Sequence, residues 1–291
     1  MARPNEVNHH RLTPPETRRY STFRPMSQVS TPFTIDQIGT GAVRFPSGAP
    51  IPTITDMAVD PYFRTRMPKE VQVEAIHFFP QFKDTYPGVI VLHERWGLTA
   101  QIKDLANRLA CEGFDVIVPN LYGRQGGMIT ANAEVADALM ARVNEADLLQ
   151  DINSCCEFLN TLDHIKRNLF AVVGFGLGGS LALRFAGHRK RLRGAVAYYG
   201  KAPAPPSLLK ELVCPVLYHR PEDDAWVTPE EVEQLRLAAK EFGKQVDVIS
   251  YPGLPHAFAN ETRPESYRAD AALSAWERTI DFLKNCFKDA K

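Results

Sequence analysis

The stretch Val173-Gly174-Phe175-Gly176-Leu177-Gly178-Gly179-Ser180 decides the fold. Just before it, the apolar run at residues 169–174 (LFAVVG) reads as a buried strand. Glycines then turn the chain sharply, and a helical pattern begins near Gly179. Two unrelated chemistries use a strand, a glycine turn and a helix in this order. Gly174, Gly176 and Gly179 satisfy G-x-G-x-x-G, the turn on which dinucleotide folds rest a pyrophosphate at a helix N-terminus. The same residues satisfy the nucleophile elbow, G-x-Nuc-x-G, in which a strained turn lifts an attacking side chain above a sheet.

The surrounding elements separate the two. On the amino side lie a strand at 88–93 (GVIVLH), a helical pattern at 100–112, a strand at 114–118 (FDVIV) and a long helical pattern over 131–163. On the carboxyl side lie strands at 194–199 (GAVAYY), 215–219 (PVLYH) and 246–251 (VDVISY), with helical patterns at 229–242 and 267–287. Alternation of this kind implies a mainly parallel sheet covered on both faces, with sites at the carboxyl ends of its strands. A dinucleotide turn normally opens its domain, and an acidic residue closes the next strand to hold a ribose hydroxyl. Here earlier strand–helix units precede the turn, and the next strand ends in Gly200 and Lys201. An elbow instead needs an acid and then a histidine further on. Asp224 follows the strand at 215–219, and His256 follows the strand at 246–251. Asp224 is preferred to its neighbour Asp223 because of its spacing to Val227. The elbow is complete except for the nucleophile, because its central residue is Gly176.

These motifs resemble the dienelactone hydrolase (carboxymethylenebutenolidase) family, whose elbow reads G-[YF]-C-L-G-G where this chain has GFGLGG. The likeness runs over about residues 86–287. His93-Glu94-Arg95-Trp96-Gly97-Leu98 is similar to the family's loop with the active-site glutamate. Asn120-Leu121-Tyr122-Gly123-Arg124-Gln125 is similar to its D-L-Y-x-R-Q segment. Ala197-Tyr198-Tyr199-Gly200, the Asp224 loop, His256-Ala257-Phe258 and the ending from Ala275 to Leu283 follow in register.

The resemblance implies an α/β-hydrolase fold, a mainly parallel central sheet with helices on both faces, and hydrolysis of a lactone or small carboxylic ester. It implies His256 as base and Asp224 as its orienting acid. It implies backbone N–H groups of Leu177 and Arg95 as an oxyanion hole, and substrate-carboxylate binding by Arg124 with Tyr122 beside it. Arg124, Glu94 and His256 are expected to line one cleft with Gly176 at its floor. Glu94 corresponds to the glutamate that tunes the family's thiolate. Here it is either a second base or a partner for Arg124 or Arg95. The family's second arginine, four positions after the histidine, is Asn260 in this chain, and Arg263 is the nearby substitute.

Gly176 has no side chain, so the family's covalent acyl-enzyme route is closed. The position reads as a bare turn, as space for a base-activated water, or as a substituted cysteine. Ser180 lies one turn further into the helix and is expected to point away. The alternative to a weakened hydrolase is a non-catalytic member that binds a small carboxylate or a protein partner in the same pocket.

Composition sets the remaining bounds. The chain has 291 residues, 44% of them hydrophobic, enough for one large domain. Its formal net charge is zero, which suggests neither a nucleic-acid surface nor a polyanionic tail. No apolar run approaches a membrane span. The five cysteines, Cys111, Cys155, Cys156, Cys214 and Cys286, show no metal-type spacing and read as reduced thiols of a cytoplasmic protein. No metal or cofactor is expected, and the implied partner is a small-molecule substrate. Residues 1–68 read as a proline-rich extension, partly irregular, whose first 30 or so residues are disordered or wrapped over the surface, with short edge strands following near 42–45 and 71–79. Residues 69–291 read as the hydrolase domain.

Overall fold

The computed structural model describes residues 31–48 and 71–288. The expectation for the first 30 residues therefore lies outside the described part. Eight strands form one sheet: β1 (Ile38–Pro46), β2 (Gln72–Pro80), β3 (Tyr86–Leu92), β4 (Asp115–Pro119), β5 (Ile165–Phe175), β6 (Leu192–Tyr198), β7 (Val216–Asp223) and β8 (Val246–Pro255). Their order across the sheet is β1-β2-β4-β3-β5-β6-β7-β8. β2 runs antiparallel to β1 and β4, and every other pairing is parallel. The helices are α1 (Ala100–Cys111), α2 (Ala133–Met140), α3 (Glu145–Leu159), α4 (Leu177–His188), α5 (Pro229–Glu241) and α6 (Ala269–Lys288). This is the α/β-hydrolase arrangement.

The middle stretches of the central strands are apolar because both faces are covered there. Val89, Ile90, Val91 and Leu92 on β3, and Ala171, Val172 and Val173 on β5, are fully buried. One face packs under α3, α4 and α5 through Ile152, Leu181 and Leu235, and the other under α1 and α6 through Leu105, Trp276 and Leu283. Trp276, Ile280 and Leu283 fall on one stripe of α6, the i, i+4, i+7 spacing of a core-facing helix. Each such side chain contributes roughly 1.5–3 kcal/mol on burial.

Two boundaries differ from the sequence reading. The helical pattern over 131–163 is two helices, α2 and α3. Asn132 and Asn144 are the reason. Their side chains accept the N–H groups of Val135 and Asp147, capping new helices rather than continuing one. The sheet also starts earlier than residue 69. β1 pairs with β2 over nine positions, from Ile38 opposite Pro80 to Pro46 opposite Gln72. A strand inside the proline-rich region is thus part of the hydrolase sheet, and the short edge strands read near 42–45 and 71–79 are segments of it. No helix among the described residues is long and apolar enough to cross a membrane.

Candidate active site

The site is assembled at the carboxyl ends of β3, β5, β7 and β8. β5 ends at Phe175, Gly176 is the turn, and α4 starts at Leu177. Gly176 adopts φ 51° and ψ −113°, a conformation that costs a residue with a side chain strain energy. The turn is pinned by three backbone hydrogen bonds: Gly176 N–H to Tyr198 O at 3.0 Å, Gly178 N–H to His93 O at 3.1 Å, and Ser180 N–H to Gly176 O at 3.0 Å. The crossing is close enough that a Cβ on Gly178 would stand 2.2 Å from Leu92 O. Only glycine lets α4 approach β3 this tightly. At Gly176 the opposite holds. A Cβ there would meet nothing nearer than Glu94 Cγ and His256 Nε2, each at 3.8 Å, which is ordinary contact. The space for a side chain is present.

His256 Nδ1 lies 2.7 Å from Asp224 Oδ2. The other oxygen of that carboxylate accepts the N–H groups of Trp226, at 2.8 Å, and Val227, at 3.2 Å. Four residues from Asp224 to Val227 thus form a tight loop around a buried acid, whereas Asp223 is exposed at the end of β7. With Nδ1 bonded to a carboxylate, Nε2 of His256 is left as an acceptor aimed at the Gly176 turn. Trp226 and Tyr199 pack edge-on against the imidazole, with ring centroids at 5.3 and 4.9 Å.

Glu94 is buried beside the elbow. Its carboxylate is held by Tyr199, whose hydroxyl donates to Oε1 at 2.8 Å, and by Asn260, whose amide donates to Oε2 at 2.8 Å. Burial, and then the Glu94 charge, push the Tyr199 phenol well above its ordinary pKa, so it stays a donor. Glu94 therefore partners neither Arg124 nor Arg95. Asn260 spends its carbonyl on the Thr262 N–H and hydroxyl. Its carbonyl and one amide hydrogen are thus committed inside the protein.

The loop carrying Glu94 and Arg95 is set by His93. This fully buried ring has Nδ1 2.7 Å from Glu94 O, and its Nε2 accepts the Leu121 N–H at 3.0 Å. Burial pulls its pKa down to about 4, so the ring is neutral and Nδ1 carries the proton. Among the described residues, neither the Leu177 N–H nor the Arg95 N–H has an acceptor in the protein. Both residues line a cleft of about 400 Å³, together with Glu94, Trp96, Gly176, Trp226, His256 and Arg263. Leu177 also opens α4, so the positive end of a twelve-residue helix faces the turn.

Two expected ligand-binding residues sit elsewhere. Arg124 does not line the cleft. Its guanidinium grips Asp151 of α3, Nη2 to Oδ1 at 2.8 Å and Nε to Oδ2 at 3.2 Å, and reaches Ser47 Oγ at 2.9 Å. The buried carboxylate of Asp151 captures it as a bidentate partner and ties α3 to the end of β1. Tyr122 is fully buried, and its hydroxyl donates to Arg95 O at 3.0 Å, bracing the Arg95 loop from behind. Arg263 does line the cleft, with its guanidinium 3.6 Å from the Trp96 ring centroid. Arg95 stacks near the same ring at 4.5 Å and pairs with Asp137 at 2.5 Å. Ser180 Oγ accepts the Lys201 N–H at 2.7 Å and donates to Gly176 O at 3.3 Å, so it is committed to the backbone. All five cysteines are free thiols outside the cleft, and burial pushes Cys156 up to about 12.

The sequence reading missed the bracing groups: His93, Tyr199, Trp96 and Trp226. Tyr199 was visible only as part of a family-like string. Nothing in the sequence says that its hydroxyl reaches a glutamate 105 positions away.

Comparison with known proteins identifies the family and agrees with the fold. The family model described as "Dienelactone hydrolase family" matches residues 73–287. A Yersinia pestis protein named "putative carboxymethylenebutenolidase" is 32% identical over 214 residues, covering 70% of this chain and 79% of that protein. A protein of the same name from Escherichia coli K12 is 28% identical over 263 residues, covering 86% of this chain and 96% of its own length. Among solved structures, a Klebsiella pneumoniae protein described as a "putative dienelactone hydrolase" superposes with a TM-score of 0.73 at 26% identity, over 85% of this chain and 98% of that one.

Proposed function

The chain belongs to the dienelactone hydrolase family, and from that premise we propose that its cleft receives a lactone or small carboxylic ester and turns it over slowly. Asp224 orients His256, and His256 Nε2 is the base. The N–H groups of Leu177 and Arg95, at the positive end of α4, receive the developing oxyanion. Arg263 beside Trp96 attracts a carboxylate or another anionic group on the substrate.

The observation that carries this reading is the vacant position at Gly176. A side chain there would contact His256 Nε2 and Glu94 without clash, so the machinery surrounds a missing atom rather than a filled space. Without a thiolate, the attacking group is water seated in that space. His256 takes a proton from the water as its oxygen adds to the carbonyl carbon, then returns the proton to the departing alkoxide. Glu94 is not a second base in this scheme. Both its oxygens already accept hydrogen bonds, and it braces the floor of the cleft.

The absence of any attacking side chain at the elbow supports a second reading, in which the cleft binds a small carboxylate and no longer hydrolyses anything. Hydrolysis of an aryl acetate by the full chain and by His256→Ala separates the two. Slow turnover with no initial burst, abolished in the variant, supports the water route. No turnover in either, with saturable carboxylate binding, supports the binding protein. Ordinary rates, about 1–1000 per second, would defeat both, because another nucleophile would then be at work.

A further inference from the structure

A second group of chemistry-bearing residues lies at the opposite end of the sheet from the cleft. His77 comes from the middle of β2, Asp115 opens β4, and His164 immediately precedes β5. We propose that His77, Asp115 and His164 bind one divalent first-row transition cation of the zinc class.

Two strands and the turn before a third bring the donors together. His164 O accepts the N–H of Tyr86 at the start of β3, which fixes the residue at the amino edge of the parallel strands. One ligand atom from each residue lies within 4.8 Å of the others. His77 Nε2 is 2.7 Å from Asp115 Oδ1, and His164 Nε2 is 2.9 Å from Asp115 Oδ2. Ligand atoms around one metal at about 2.0–2.2 Å have to converge to comparable spacings.

A second observation distinguishes this group from a simple hydrogen-bonded bridge. Asp115 is fully buried, yet its Oδ2 and the buried His164 Nε2 that faces it at 2.9 Å do not meet hydrogen-bond geometry. The two atoms are close but not aligned as donor and acceptor. A buried carboxylate oxygen facing a misaligned contact stays under-satisfied unless a cation or a better-placed donor meets it. A cation placed between the three side chains satisfies both atoms at once.

The surroundings suit such an ion. The imidazoles lie nearly parallel, 5.8 Å apart, and the Phe79 ring packs against both, at 4.9 and 5.3 Å. This apolar wall favours tight bonds to neutral imidazole and a single carboxylate. His164 is partly exposed, so the group lies near the surface. Two imidazoles and one carboxylate favour zinc, iron(II) or similar ions over calcium or magnesium.

Zinc alone is the probe. Equilibrium dialysis of the chelator-stripped full chain should show one equivalent of Zn²⁺ that His164→Gln loses, while other histidines of the chain account for binding common to both. Co²⁺ in its place should give the visible bands of a tetrahedral site, and these should vanish in the same variant. Zinc should raise the thermal midpoint of the unmodified chain and not that of His164→Gln. His164 is at the surface edge of the site, so this variant is expected to fold; His77→Gln is the check from the other side of the cluster. A zinc stoichiometry and affinity unchanged in His164→Gln, or no zinc bound at micromolar concentration by the unmodified chain, would overturn the site.

Discussion

Gly176→Cys tests the central reading most directly. The new Cβ would stand 3.8 Å from His256 Nε2 and 3.8 Å from Glu94 Cγ. The sulfur, one bond further, comes within hydrogen-bonding reach of the imidazole, the geometry of an activated thiol. The cost is backbone strain. A residue with a side chain at φ 51° is disfavoured by about 1–3 kcal/mol. For a domain of this size that lowers the melting temperature by roughly 2–10 °C. The gain is larger. Removing the nucleophile from an intact triad costs on the order of a million-fold in rate, so restoring it should return at least about a thousand-fold in kcat/KM if the other groups are in place. The assay is p-nitrophenyl acetate hydrolysis with a rapid-mixing arm. The variant should release a burst of about one equivalent of nitrophenol as the acyl-enzyme forms. The burst should disappear in Gly176→Cys/His256→Ala. A variant that keeps its circular dichroism and melts within the stated range, yet shows neither burst nor faster turnover, refutes the reasoning. The cleft would then be shaped for something other than acyl transfer.

Other expected outcomes follow from the same geometry. Arg263→Ala should weaken a small carboxylate ligand by roughly tenfold, as expected for one lost charge-assisted hydrogen bond, while Arg124→Ala should leave that affinity unchanged and lower stability by about 1–3 kcal/mol by stranding Asp151; isothermal titration and urea melts read the two effects, and the reverse pattern would return Arg124 to the ligand site. Tyr199→Phe should leave Glu94 short of one donor and reduce the activity of the Gly176→Cys background several-fold more than it reduces stability-matched controls, a difference that a kinetic comparison measures. Acid stability is set in part by His93. Its folded pKa of about 4 lies below the ordinary 6.5, so the unfolded chain binds the extra proton. That contribution to stability is fully present above about pH 6.5 and is lost as the pH falls towards 4, up to about 3 kcal/mol. His219, pulled down to about 3 by burial, adds to the same slope. A urea midpoint that stays flat between pH 7 and pH 5 would contradict it.

Local pattern was enough for the scaffold. Strands buried on both faces read as continuous apolar runs, and glycines and prolines mark their ends, so most elements, their alternation and the elbow at Gly176 could be read in one dimension, while the asparagine caps that split the stretch 131–163 into α2 and α3 were not. The order of Asp224 and His256 along the chain was equally legible, because triad members sit on loops that follow recognisable strands. What one dimension does not carry is the direction of a side chain after the chain has folded. Arg124 belongs to a convincing substrate-binding motif, yet Asp151 on α3 offers it a bidentate partner, and only the packing of α3 against β1 reveals that competition. Glu94 was legible as a site residue, but its partners Tyr199 and Asn260 arrive from strands and loops more than 100 positions away. The His77–Asp115–His164 group has no spacing signature at all, since two strands and the turn before a third deliver one residue each. Short-range pattern encodes backbone and burial; long-range convergence of polar groups is decided by which surfaces the sheet brings face to face.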